Sequence, residues 1–319
     1  MPRAEQLPLF PQKGVKGDYG PPLGVSPPLS HRSSLQAAIG TFHDHMVREG
    51  FTDNTIRAFL SDLRLLSRYL GPGRLIGQIA TEDLNNFLTY LLRYRGVPCS
   101  PKSYSRRVTT LKVFFGWLAD SQVLPLDPAA PVVHQRVSSP LPKVLYESQV
   151  ERVLETTHRL MTVERKADTR PHLLVTLILS TGIKKSECMS IALNHIDLSD
   201  PTNPVLYIRY ANPRFRKKER KLQLPTEFPL LLEQYMEQYQ PRERLFECTA
   251  RNLEYVLHHV AQLAGLSDGL SFETLRMTCA VRDYQSGMPP ENLRKKLGLS
   301  LQSWRETFEK IQQLAAPPL

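Results

Sequence analysis

Cysteine is scarce in this chain. The four that occur, Cys99, Cys188, Cys248 and Cys279, are scattered, with no Cys-x-x-Cys pair. That argues against a zinc site and a disulfide framework, and leaves buried, reduced thiols in a cytosolic protein as the expectation. Long apolar runs are missing too. None approaches the roughly 18 residues that a membrane-spanning helix needs, and the N-terminus has no signal-peptide core. Acidic residues are outnumbered: 41 Lys+Arg against 31 Asp+Glu give a formal net charge of +10. Tyrosine is absent after Tyr284. What remains is a 319-residue chain, long enough to favour two domains, with 41% hydrophobic residues to fill their cores. A chain this basic suggests a polyanionic partner, most simply nucleic acid. No metal, cofactor or membrane is expected.

The order of signals divides the chain. Residues 1–30 are rich in Pro and Gly and read as a disordered arm. Residues 31–131 carry four amphipathic patterns. Leu35, Ala38, Ile39, Phe42 and Met46 share one helical face. After Gly50, Thr52 or Asp53 caps a second helix with Ile56, Phe59, Leu63, Leu66 and Leu70 on one stripe, ended by Gly71-Pro72-Gly73. Thr81 offers the cap of a third, and Val108, Leu111, Phe115 and Leu118 line a fourth that ends near Asp120. Four such helices with short loops make a small bundle. Its polar faces carry Arg57, Arg64 and Arg68 on the second helix and Lys102, Arg106, Arg107 and Lys112 on the fourth. Residues 132–143 read as an extended, proline-bearing linker.

Residues 144–319 read as a second, α+β domain, opened by Ser148 as a helix cap. An apolar helix from Leu173 to Leu179 runs into Ser180-Thr181-Gly182-Ile183-Lys184-Lys185-Ser186-Glu187. Gly182 allows a tight reversal, and Lys184 then stands at a helix N-terminus, where a cation beside free N–H groups suits a phosphate. Val205 to Tyr210 reads as a strand, with Leu222 to Leu224 returning. Between them, Arg214, Arg216, Lys217, Lys218, Arg220 and Lys221 form the densest basic run in the chain. So many like charges repel unless phosphate screens them, which favours DNA contact on this hairpin. Helices follow at Phe228 to Tyr239 and Asn252 to Gly265.

The octet at Ser180–Glu187, the later Leu275-Arg276, and Leu297-Gly298 resemble the tyrosine recombinase (phage-integrase) family in order and spacing. Thr55, Phe59, Asp62 and Leu63, with Arg107, Leu111, Phe114 and Phe115, resemble the core-binding domain of that family. The resemblance implies a mainly helical fold with a small β-sheet: a SAM-like core-binding domain joined to a catalytic-type domain, the two closing around a duplex. It also implies a reaction in which a Tyr hydroxyl attacks a scissile phosphodiester, two Arg and a His/Trp position stabilise the charge, and Lys and His move protons.

Position by position, that machinery is degenerate. Arg276 keeps the second Arg. Lys184 stands for the first, retaining charge but losing the bidentate fork. Glu273 takes the place of a His, Leu299 that of the second His/Trp, and Phe308 that of the nucleophile. Arg216 and Lys217 are the candidates for the hairpin Lys. The expectation is a DNA-binding regulator or architectural factor without strand cleavage, nucleoid-associated in the cytoplasm. Its partners would be double-stranded DNA, an active recombinase, or a second copy through the C-terminal helix. That helix's stripe of Phe308, Ile311 and Leu314 could instead pack at home. The alternatives are an active site-specific recombinase with another nucleophile, Thr307 or Ser303, and a helical scaffold whose charge is incidental.

Overall fold

The computed structural model describes residues 29–133, 140–163 and 166–316. All but the last two residues of the expected arm, and the middle of the expected linker, lie outside them, as does the side chain of Arg214. The chain divides into two compact units, Met1–Ser139 and Pro140–Leu319.

In the first unit the four periodic stretches are helices: α1 (Leu35–Arg48), α2 (Asp53–Leu70), α3 (Thr81–Arg93) and α4 (Pro101–Asp120). Ser34, Thr52 and Ser100 cap three of them, each hydroxyl accepting an N–H that the first turn leaves free. The third departs from expectation. Thr81 is inside α3, Ala80 holds the cap position, and the Asp83 carboxylate accepts from the Ala80 N–H at 2.9 Å. A carboxylate one turn in does the capping, which frees the Thr81 hydroxyl to donate to Pro128 O at 2.8 Å. Each apolar stripe is buried, with Phe42 set edge-on to Phe114 at 5.2 Å in the centre.

The second unit contains α5 (Glu147–Thr162), α6 (Arg170–Thr181), α7 (Lys185–Cys188), β1 (Ile196–Asp197), β2 (Val205–Ile208), β3 (Arg220–Gln223), α8 (Phe228–Tyr239), α9 (Ala250–Leu263), α10 (Phe272–Gln285), α11 (Pro290–Lys296) and α12 (Leu301–Ala315). The strands form an antiparallel sheet in the order β1-β2-β3. Ser148 does not cap α5. Tyr146 holds that position, and Gln149 reaches back to its N–H at 2.9 Å. The basic run also differs from an open hairpin loop. Pro213–Lys218 winds into a 3₁₀ segment, and β3 begins at Arg220, opposite Ile208. Strand parity then turns Arg220 and Leu222 inward and Lys221 outward.

This unit has two apolar clusters. The larger joins α5, α6, α8, α9 and the sheet. The smaller joins Met277, Ala280 and Val281 of α10 to Leu293, Leu297, Trp304 and Ile311. Phe308 and Leu314 pack against it, so the C-terminal stripe is used within its own unit.

Candidate functional site

The site begins where α6 stops. Gly182 adopts φ +62°, and its N–H donates to Ile178 O at 2.8 Å. A Cβ there would stand 2.9 Å from the Leu297 side chain and 3.3 Å from Cys279 Sγ. Glycine is therefore required for conformation and for space. Two residues on, Lys184 caps α7 with extended backbone, and its N–H donates to the Glu187 carboxylate at 2.8 Å.

Glu187 is the buried anion of the site, its side chain 1% exposed. Arg220 grips it with two bonds, at 3.0 and 2.9 Å, and the Tyr210 hydroxyl donates to it as well. Burial alone would raise this carboxyl. The Arg220 fork outweighs it and, with the Lys184 N–H and Tyr210, holds the group down at about 2. Burial and the neighbouring carboxylate push Tyr210 up to about 12. Burial lowers the Lys184 amine to about 8, against the pull of Glu187, with Arg276, Lys218 and Arg220 adding to the fall.

Three cations converge on the end of α11. Arg220 Nε donates to Lys296 O at 2.6 Å, Arg276 Nη2 to Leu297 O at 2.8 Å, and Lys184 Nζ to Gly298 O at 3.0 Å. The other terminal nitrogen of Arg276 donates to Gly182 O. Arg276 is 5% exposed, and burial lowers its guanidinium from the ordinary value.

The structure thus brings Lys184, Arg276 and Arg220 together, and places the other expected positions elsewhere. Glu273 lies on the exposed side of α10. Leu299 is half-buried against the smaller cluster. Phe308 stacks on Trp304 at 4.8 Å and meets Tyr284 edge-on at 5.5 Å. Of the basic run, Arg216, Lys217 and Lys221 are exposed, and Lys218 Nζ lies 5.2 Å above the Phe215 ring. Arg220 does not stand with them: it is turned into the site. Arg57 and Arg64 are exposed on α2, and Lys112 donates to Ala130 O at 3.1 Å.

Asp62 accounts for two more residues of the basic face, while Arg68 and Lys102 are exposed. This buried carboxylate takes a two-bond grip from Arg106 at 2.8 and 2.7 Å, and a hydroxyl from Thr110. Arg107, read from sequence as surface, is 11% exposed, with Nε 3.5 Å from Asp62 and Nη1 2.7 Å from Cys99 Sγ. A buried carboxylate needs cations, and Asp62 draws in both.

Sequence reasoning noticed Glu187 only as part of a motif and missed Tyr210 and Arg220 as its partners. The available signal was strand parity, which β3 makes legible only once its register is known.

Two family descriptions match. "Phage integrase family" covers residues 143–303, and "Phage integrase, N-terminal SAM-like domain" covers residues 39–122. The chain is 25% identical over 268 residues to the tyrosine recombinase XerC of Staphylococcus epidermidis, covering 79% of this chain and 84% of that one. Among solved structures, the Tn1549 transposon integrase in complex with a circular intermediate DNA superposes with a TM-score of 0.68 at 16% identity, over 87% of this chain and 94% of that one. The XerH site-specific recombinase bound to its difH substrate gives 0.62 at 18%, over 88% and 84%. At these identities the structural likeness is one of fold.

Proposed function

Because the chain belongs to the phage integrase family, with that family's SAM-like domain ahead of its integrase domain, we propose that it grips double-stranded DNA without cutting it, as a regulator or architectural factor. The observation that carries this reading is Phe308, a ring with no oxygen, at the position where the resemblance places the nucleophile. It is packed between Trp304 and Tyr284. Leu299 has no group to donate to a phosphoryl oxygen, and Glu273 adds negative charge on α10.

DNA binding is supported by the net charge of +10 and by exposed Arg57, Arg64, Arg106, Arg216, Lys217 and Lys221. Lys218 and Lys112 are half-buried, and Arg214 belongs to the same run in sequence as Arg216 to Lys221. Relatives named as recombinases, and structural neighbours bound to DNA, agree with it. Lys184 and Arg276 would add positive potential beneath a bound phosphate.

A second reading, an active recombinase, is favoured by one feature: Tyr210 brings a phenolic oxygen to the remnant site. Its chemistry is unfavourable. A carboxylate held at about 2 is a feeble base for a phenol pushed up to about 12, so the proton stays on the oxygen. Thr307 donates to Ser303 O at 2.8 Å, and Ser303 bonds to Ser300. Neither has a base among its bonded partners.

A nicked suicide duplex separates the readings. The native chain and Phe308→Tyr are both expected to give no covalent protein–DNA band. An adduct with the native chain that disappears in Tyr210→Phe would establish the second reading. Cleavage restored by Phe308→Tyr alone would show that Lys184, Glu273 and Leu299 are no obstacle.

A further inference from the structure

The end of α11 is fully satisfied, but by unequal partners. The Leu293 carbonyl accepts from the Leu297 N–H, Arg294 from Leu299, and Lys295 from Gly298, all within the local chain. The next three carbonyls have no local donor. Lys296 O takes Arg220, Leu297 O takes Arg276, and Gly298 O takes Lys184. Those donors come from β3, α10 and the turn before α7. The last carbonyls of a helix carry partial negative charge, so cations are the partners they favour.

These bonds sit at a seam. Residues from α11 onward pack into the smaller apolar cluster, whose members are α10 residues and their own side chains, apart from the larger core. Glu187, next in the chain to Cys188 of the larger core, holds Arg220 with both carboxylate oxygens while Nε donates to Lys296 O. Gly298, at φ +59°, leaves the room the guanidinium fills: a Cβ there would stand 2.5 Å from Arg220 Nη1.

We infer that Lys184, Arg220 and Arg276 form a latch that fastens the C-terminal helical pair α11–α12 to its own unit, with Glu187 as the positioning residue that aims Arg220. The cations of the remnant site then serve to retain the segment carrying Phe308, rather than to act on a phosphodiester. This holds whether or not the chain binds DNA. A chain that retains no duplex keeps the latch.

Hydrogen exchange of the full chain, read by mass spectrometry, tests it. In Arg220→Met, amides of residues 290–315 are expected to exchange at least tenfold faster, while α5, α6 and α9 keep their protection. Trp304 emission shifts to the red as its shelter loosens. Lys184→Met, which removes one partly exposed side chain with its bond to Gly298 O and its 3.8 Å ion pair with Glu187, gives the same pattern in milder form and covers the case in which Arg220→Met fails to fold. Arg220→Lys recovers part of the protection, because it keeps the charge and loses the fork. Unchanged exchange over 290–315 in both Met variants would overturn the latch. So would a uniform rise across the whole unit, which would mean that the cations support the fold generally.

Discussion

At Glu187 a buried carboxylate meets a guanidinium fork, a phenol and a backbone N–H, and its proton affinity follows from that company. Its carboxyl is held at about 2, below the ordinary 4.5. The stabilisation is therefore complete above pH 4.5 and is lost as pH falls from there through about 2. Lys184 has the opposite character. Its amine is lowered to about 8 from 10.5, so the native state sheds this proton first and stability rises with pH between those values. The acid limb is worth on the order of 3 kcal/mol at full extent. Glu187→Gln is expected to be less stable at neutral pH, because it leaves Arg220 buried beside a neutral group. It should also flatten the fall below pH 4.5. Urea midpoints measured from pH 7 to pH 2 check this, and native and variant curves that run parallel would place the acid sensitivity elsewhere.

Among the elements, the turn after α11 shows sequence and geometry in close agreement. Leu299 N–H reaches Arg294 O and Gly298 N–H reaches Lys295 O, with Gly298 left-handed between them. This is the Schellman arrangement that ends many helices, and it explains the Leu-Gly without reference to chemistry. Gly298→Ala meets two penalties, the left-handed backbone and the Arg220 guanidinium. Gly269→Ala meets only the first, since open space surrounds that position at φ +73°. Both lose about 1 kcal/mol or more from backbone strain, and Gly298→Ala is expected to lose clearly more in urea unfolding. Equal losses would mean that Arg220 steps aside freely. The four helices of the first unit and α6 were legible for the same kind of reason: periodic apolar residues and terminal caps act within a turn or two. Thr81 and Ser148 fall inside their helices because the starts lie earlier, where Asp83 and Gln149 reach back to the Ala80 and Tyr146 N–H groups.

Over the whole molecule, positive charge is spread across both units, with the exposed arginines of α2 and the 3₁₀ segment as its densest exposed parts. Duplex affinity carried by such contacts falls steeply with salt. A protein meeting about six phosphates loses roughly a thousandfold between 50 and 200 mM salt. Titrations of a labelled duplex across that range are expected to show a loss of this order, and a nearly flat response would remove the phosphate contacts from the proposal. Footprints of bound genomic sites then distinguish the roles: inverted repeats at promoters indicate transcriptional control, and paired crossover-like sites indicate recombination.

The amino-acid sequence by itself determined the helical periods, the glycine turn at 182, the excess of cations, and the absence of any tyrosine beyond Tyr284. All of these are properties of single residues or of neighbours along the chain. Which cation faces a carboxylate and which faces solvent was decided only by tertiary structure. Arg220 lies 33 residues from Glu187, and its side of β3 depends on a pairing register set by another strand. The destination of a charge follows from where the nearest buried opposite charge comes to rest, and that is settled by packing at long range.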